Sequence, residues 1–265
     1  MKEKNAFTLA EVLITLGIIG IVSAMTIPTL VNNYQEKVTV SKLKQTYSLL
    51  NQATKMMIVN NNGLTFDKWG YNYKNFIEEF INELPKYIAV EKTCNKLTYK
   101  CMPYSINGLY TNGTTSHSWR GYKSFILKNG VAIGFYTNNS NYNFCIQNSK
   151  MNQTASGISY PSGTYNTVCG YIYVDLNGIA KPNTFDKDIF AFAVVNDGIV
   201  PMGSRQETIW NLTFSNQCLG ARIADVNLGS AGKCTAWVIE NGNMDYLHCK
   251  DKLSWDGPHS CKEAE

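Results

Sequence analysis

Charge is scarce in this chain. Asp, Glu, Lys and Arg make up 17% of its 265 residues, only three of them are Arg, and the formal net charge is +4. With no block of Lys or Arg, that balance gives no electrostatic footprint for nucleic acid, which is therefore not among the expected partners. Walker loops, GxSxG and HExxH are all missing, so the sequence offers no catalytic constellation and an enzyme is not expected. Cysteine is missing from the front of the chain: all eight lie from Cys94 onward. An even number confined to the later part fits an oxidising space outside the cytoplasm for that part. The most telling absence is local. No charged residue occurs from residue 12 to residue 35.

What fills that gap is apolar. The run opens at Phe7-Thr8-Leu9-Ala10-Glu11-Val12-Leu13-Ile14 and continues through Leu16, Ile18, Ile19, Ile21 and Val22. Its length suffices to cross a bilayer as a helix, which takes about 20 mostly apolar residues. Glu11 is its only charge. An acidic side chain costs about 3 kcal/mol at the bilayer centre and less near an end, so Glu11 calls for a partner charge. Stabilisation by its own helix N-terminus supplies only about 0.3–1 kcal/mol. Two ordinary readings compete. A secretory signal cut after Ala24 would use Val22-Ser23-Ala24, but a carboxylate inside the apolar core argues against it. A plain uncleaved anchor is the other. Lysines flank the run on both sides, so the positive-inside rule does not orient it; the cysteines place the C-terminal part outside.

Ala6, Phe7, Thr8-Leu9, Glu11 and the apolar tail through Ile27-Pro28 resemble the N-terminus of type IV prepilins and of the pseudopilins of type II secretion systems. The resemblance covers about the first thirty residues, with Ala6 where the family usually has Gly. It implies that a prepilin peptidase cuts between Ala6 and Phe7 on the cytoplasmic side of the inner membrane and that the new Phe7 amine is methylated. Subunits then leave the membrane for a helical filament, where the Glu11 carboxylate meets the Phe7 amine of a neighbour. It also implies that the helix loosens between Gly20 and Pro28 on assembly. From the residues alone, Pro28 removes the amide that would bond the Ala24 carbonyl and predicts a kink.

Beyond Pro28, Leu43, Tyr47, Leu50 and Met57 keep a helical stripe. One helix from about residue 8 to Asn60 is expected, roughly 80 Å long at ~1.5 Å per residue, with Asn60-Asn61-Asn62-Gly63 as its stop. A short helix is expected over 68–84, stopped by Pro85. Then strands follow: 124–128 and 131–136 as a hairpin around a two-residue Asn129-Gly130 turn, 170–175, 188–195 turned by Asp197-Gly198 into 199–201, and a late strand over 235–239 before Asn241-Gly242. A helix followed by an antiparallel sheet is α+β, and it is similar to the pilin architecture. The expected organisation is a leader over 1–6, the helix over 7–60 with its membrane and assembly part at about 7–31, and an extracytoplasmic head over 61–265. The stretch 173–192 and the stretch 234–244 also look like segments of pseudopilin-like proteins.

Asp175, Asn177, Asp186 and Asp188 could supply oxygens to Ca²⁺, which takes about six to eight; some pseudopilin heads carry calcium in a loop near the sheet. The spacing is not an EF-hand, and an Asn177-Gly178 turn accounts for the same residues. Otherwise no cofactor is expected. Proximity pairs the cysteines as Cys94–Cys101, Cys145–Cys169, Cys218–Cys234 and Cys249–Cys261, each worth about 2–4 kcal/mol. His248-Cys249 and His259-x-Cys261 have zinc-ligand types, but a disulfide suits an oxidising space better. Trp119, Trp210 and Trp255 are read as packing or surface residues, with a ligand platform as the alternative.

The function expected from all this is structural. The chain would be a subunit of a type IV pilus or type II secretion pseudopilus, a minor one because its length exceeds that usual for major pseudopilins. Expected partners are the prepilin peptidase, other pilins or pseudopilins, the inner-membrane assembly platform and membrane lipid. A pilus-tip binding module, either adhesin or DNA-uptake subunit, is the alternative.

Overall fold

The computed structural model describes residues 8–69, 73–94, 101–102, 105–107, 116–118, 124–136, 168–203, 218 and 232–265. Ala6, Phe7, Cys145, Trp119 and Trp210 lie outside them. The chain divides into two compact units, Met1–Thr39 and Val40–Glu265.

Helix α1 runs over Leu9–Asn60 without interruption at Pro28. In the first unit none of its described residues is buried; Leu9, Leu13, Ile14, Leu16, Ile18, Ile19 and Ile21 are all exposed. An apolar surface of that extent is covered by something other than the chain's own fold. In the second unit the same helix shows one buried face, Leu43, Thr46, Leu50, Ala53, Thr54 and Met57. Asn62 and Gly63 then take left-handed backbone (φ 55° and 73°), and the Gly63 N–H bonds the Ile58 carbonyl at 2.9 Å to close the helix.

The buried face of α1 lies on a six-stranded antiparallel sheet of order β1-β4-β5-β6-β7-β8. Its strands are β1 (Val90–Cys94), β4 (Ser124–Leu127), β5 (Ala132–Tyr136), β6 (Val168–Asp175), β7 (Ile189–Val195) and β8 (Gly198–Pro201). A separate pair joins β2 (Ser105–Asn107) to β3 (Ser116–Ser118). Every residue of β7 is buried. Phe190, Phe192 and Val194 enter the main core with Leu43, Leu50 and Met57, while Ile189, Ala191 and Ala193 enter a second cluster with Tyr173, Phe185 and Met202. Cover on both faces explains why this strand reads as a continuous apolar run instead of alternating.

Three expectations change. The helix expected over 68–84 is shorter: Phe66–Lys68 is a 3₁₀ turn and α2 covers Tyr73–Glu83, with Pro85 in the 3₁₀ turn that follows. The β4–β5 hairpin closes through three residues. Leu127 N–H bonds the Val131 carbonyl (2.8 Å) and Gly130 N–H bonds the Leu127 carbonyl (2.9 Å), with Gly130 at φ 78°. Asn129 is not left-handed, whereas a two-residue Asn-Gly turn needs positive φ at both positions, so this is a tight turn plus a glycine bulge. The expected late strand is a helix, α3 (Thr235–Asn241). Its β-forming residues are overridden by context. Asp186 accepts the Cys234 N–H at its start (2.8 Å), Met202 accepts the Ala236 N–H (2.9 Å), and Gly242 at φ 70° ends it as a helix cap and not a hairpin turn.

The structure joins Cys94 to Cys101, Cys218 to Cys234 and Cys249 to Cys261. Cys169 is disulfide-bonded as well.

Candidate assembly segment and loop site

Glu11 sits in the first turn of α1, and its partner in the single chain is local. Thr8 donates both its N–H and its hydroxyl to Glu11 Oε2, each at 2.8 Å, while the Glu11 N–H reaches Thr8 Oγ1 at 3.2 Å. This is a reciprocal capping box, Thr-x-x-Glu, which satisfies two N–H groups that a helix start leaves without partners. The sequence carried the signal in the spacing of Thr8 and Glu11, but reading Glu11 as a membrane charge hid its second role. In the single chain the carboxylate thus caps its own helix.

The second site is the connection from β6 to β7, where α1, β6 and β7 meet at one end of the sheet. Two contacts and one charge interaction fix the alignment. Lys55 Nζ donates to the Asp197 carbonyl (2.6 Å) at one end, Tyr47 stacks on Phe192 in the middle (5.6 Å between centroids), and the Lys42 ammonium lies near enough to Asp175 to favour its ionised form at the other. α1 therefore runs parallel to β7, with the turn around Lys42 beside the β6–β7 loop.

Within that loop Asp175 and Asp188 are both buried and repel each other. Asp175 accepts the Asn177 N–H (3.1 Å). Asp188 accepts the N–H groups of Asn183 (2.8 Å) and Thr184 (2.5 Å) and the Asn177 amide (3.2 Å). With its amide nitrogen inward, Asn183 donates to Asp175 Oδ2 (3.3 Å) and to the Ala180 carbonyl (2.8 Å). Burial, reinforced by the Asp188 charge, pushes Asp175 up to about 8. Burial also raises Asp188, against the three N–H groups that favour its charge. Burial thus holds both carboxyls toward their neutral forms.

Asp186 stands apart from them. Its backbone is left-handed (φ 63°), its carboxylate accepts the Cys234 N–H, and its carbonyl accepts the Tyr246 hydroxyl (2.7 Å). Burial pushes it up to about 7. It ties the loop to the C-terminal segment, and of the four oxygen donors expected for calcium only Asp175, Asn177 and Asp188 come together. Asn183 joins them, a residue the spacing did not single out. Among the described residues no cluster of three or more His, Cys, Asp or Glu is placed to hold a metal. The fit for calcium therefore turns on the two carboxylates and two amides. Rotating the Asn183 amide would present its oxygen beside Asp175 Oδ2 and the Ala180 carbonyl. In the tail, Cys249 and Cys261 are spent on each other, and the His259 ring contacts the Trp255 carbonyl (3.2 Å). Trp255 is 9% exposed and packs on Trp237, so it is a core residue.

Comparison with known proteins adds two findings. A family described as a family of unknown function, DUF6613, matches residues 29–195, more than half of the chain. The chain belongs to this family. The prokaryotic N-terminal methylation motif, the signature of type IV pilins and pseudopilins, matches residues 1–27. No curated protein and no solved structure matches the chain. The pilin-like chain thus combines that motif with an apolar N-terminal helix and an α+β head, and the motif implies processing by a prepilin peptidase and assembly with other pilins.

Proposed function

We propose that this protein is a minor structural subunit of a type IV pilus or type II secretion pseudopilus. The observation that supports it most is the exposed, charge-free first half of α1, broken only by Glu11, inside the methylation motif. Prepilin peptidase cuts between Ala6 and Phe7, and the Phe7 amine is methylated. The subunit waits in the inner membrane with its disulfide-braced head outside the cytoplasm. On extraction into the filament, Glu11 exchanges its Thr8 contacts for the Phe7 amine of the next copy, and the helix loosens between Gly20 and Pro28, where glycine and proline both weaken it. The assembly platform supplies the work. The state of the mature N-terminus in purified fibres tests this reading.

The β6–β7 loop is proposed to take calcium through Asp175, Asn177, Asn183 and Asp188, with Asp186 as a tie to the tail and not a ligand. A divalent cation would relieve the repulsion between the two buried carboxylates and displace the proton from Asp175. Calcium is expected to raise Tm by several degrees at pH 7.5, and Asp175→Asn to abolish that rise while leaving the calcium-free protein folded. An unchanged Tm on adding calcium to the unaltered chain means that the loop is a hydrogen-bonded turn and nothing more.

A further inference from the structure

We propose that the Cys249–Cys261 bridge is a thiol–disulfide exchange site, at which a dithiol protein opens and closes the C-terminal tail. This chemistry belongs to the head alone and goes beyond the filament reading. The bridge differs from the other cysteines in access. Cys94, Cys101, Cys169, Cys218 and Cys234 are at most 4% exposed. Cys249 and Cys261 are both partly exposed. A disulfide is opened by a thiolate that reaches one of its sulfurs, so access and the charge around each sulfur set the rate.

The two sulfurs are not equivalent. Cys249 packs against the main core. It stands at the start of the 3₁₀ turn Lys250–Lys252, whose two lysines outnumber Asp251. Cys261 has the Asp245 carboxylate on its N–H (2.7 Å), with Lys262 and Glu263 following in the chain. Positive charge favours a thiolate and negative charge opposes it, so Cys249 is the better leaving group. The incoming thiolate therefore bonds Cys261 Sγ, the S–S bond breaks, and its electron pair goes to Cys249 Sγ. The second thiol of the dithiol then loses its proton and attacks the mixed disulfide, releasing Cys261 as a thiolate. Two electrons and two protons pass in all, leaving the dithiol as a disulfide and the bridge as two thiols. Asp245 makes the opening reversible. Its carbonyl accepts the Cys249 N–H (2.9 Å) and its carboxylate the Cys261 N–H, so one residue holds both cysteines without the S–S bond. Asn243 braces the same loop: its amide donates to the His259 carbonyl (2.9 Å), and its Oδ1 accepts the Trp237 indole N–H (3.0 Å). With these bonds kept, the two thiols stay near the 5.6 Å Cα separation of the bridge and re-form it when the partner arrives oxidised.

The test uses the full chain in detergent, treated briefly with dithiothreitol, alkylated, and read by peptide mass spectrometry. Cys249 and Cys261 are expected to be labelled at least about tenfold faster than Cys94, Cys101, Cys218 and Cys234, with the near-ultraviolet circular dichroism retained. With glutathione as a monothiol probe, the adduct forms on Cys261 and the alkylating reagent adds to Cys249. After the reductant is exchanged for oxidised glutathione, Asp245→Ala should re-form the bridge about tenfold more slowly than the unaltered chain. Asp245→Asn, which keeps an acceptor oxygen for the Cys261 N–H, should re-form it at the native rate. Labelling of all these cysteines at one rate, with loss of the dichroism, would overturn the exchange site, because the bridge then opens only on unfolding. An adduct on Cys249 would overturn the direction of attack, and an unslowed Asp245→Ala would overturn the clamp. The N-terminal motif takes no part in these measurements, so the filament reading stands or falls separately.

Discussion

Glu11→Ala is expected to leave the head folded and the leader cut, yet to lower the share of this subunit in sheared filaments by at least tenfold. The magnitudes separate the two uses of the carboxylate. Losing a helix cap costs about 1 kcal/mol, too little to block assembly of a helix that neighbours hold in place. Leaving the methylated Phe7 amine in hydrocarbon without its counter-charge costs about 3 kcal/mol near the centre and less near an end. Glu11→Gln decides between them. The Thr8–Glu11 box accepts Gln, whose amide oxygen still takes the Thr8 N–H, but Gln carries no charge. If the carboxylate serves the amine, Gln fails as Ala does; if it serves the cap, Gln assembles normally. Quantifying the subunit in sheared fractions against its cellular level reads both variants.

The second large effect is on stability against pH. Asp175 at about 8 and Asp186 at about 7 lie well above the ordinary aspartate value of 3.8. The folded head therefore holds protons that the unfolded chain has released. Its stability falls as pH rises between about 4 and 8, and levels off above the higher value. Each group contributes on the order of 1–3 kcal/mol to that loss, since each unit of displacement is worth about 1.4 kcal/mol and relaxation of the loop absorbs part of it. Denaturant melts without calcium are expected to show the head weaker at pH 8.5 than at pH 5 by a few kcal/mol. Asp175→Asn should remove the larger share of the slope. A head equally stable at both values would mean that the Asn177, Asn183, Thr184 and Cys234 donors hold all three aspartates ionised at no net cost.

Reading the chain in one dimension recovered α1, its stripe and its Asn62-Gly63 stop, because helical periodicity and a left-handed cap are local signals. The buried strands β6 and β7 were legible for the same reason. What local signals missed, tertiary contacts decided. Thr235-Ala236-Trp237-Val238-Ile239 has strand-forming residues, yet Asp186, 48 positions away, caps it as a helix. Asn129-Gly130 marked the right turn but the wrong loop length, since only the partner register tells two residues from three. The loop acids divided the same way: spacing grouped Asp186 with Asp175 and Asp188, while its left-handed backbone turns it to the tail. Asn183 and Lys42 entered the site through chain reversal alone, which no run of residues announces.

The account stands most directly on the N-terminus of the native protein taken from sheared fibres, read by intact mass and fragmentation. A chain that begins at an N-methylated Phe7 is the predicted result. A chain that begins at Met1, or at Met25 in a soluble secreted fraction with no fibres, contradicts it.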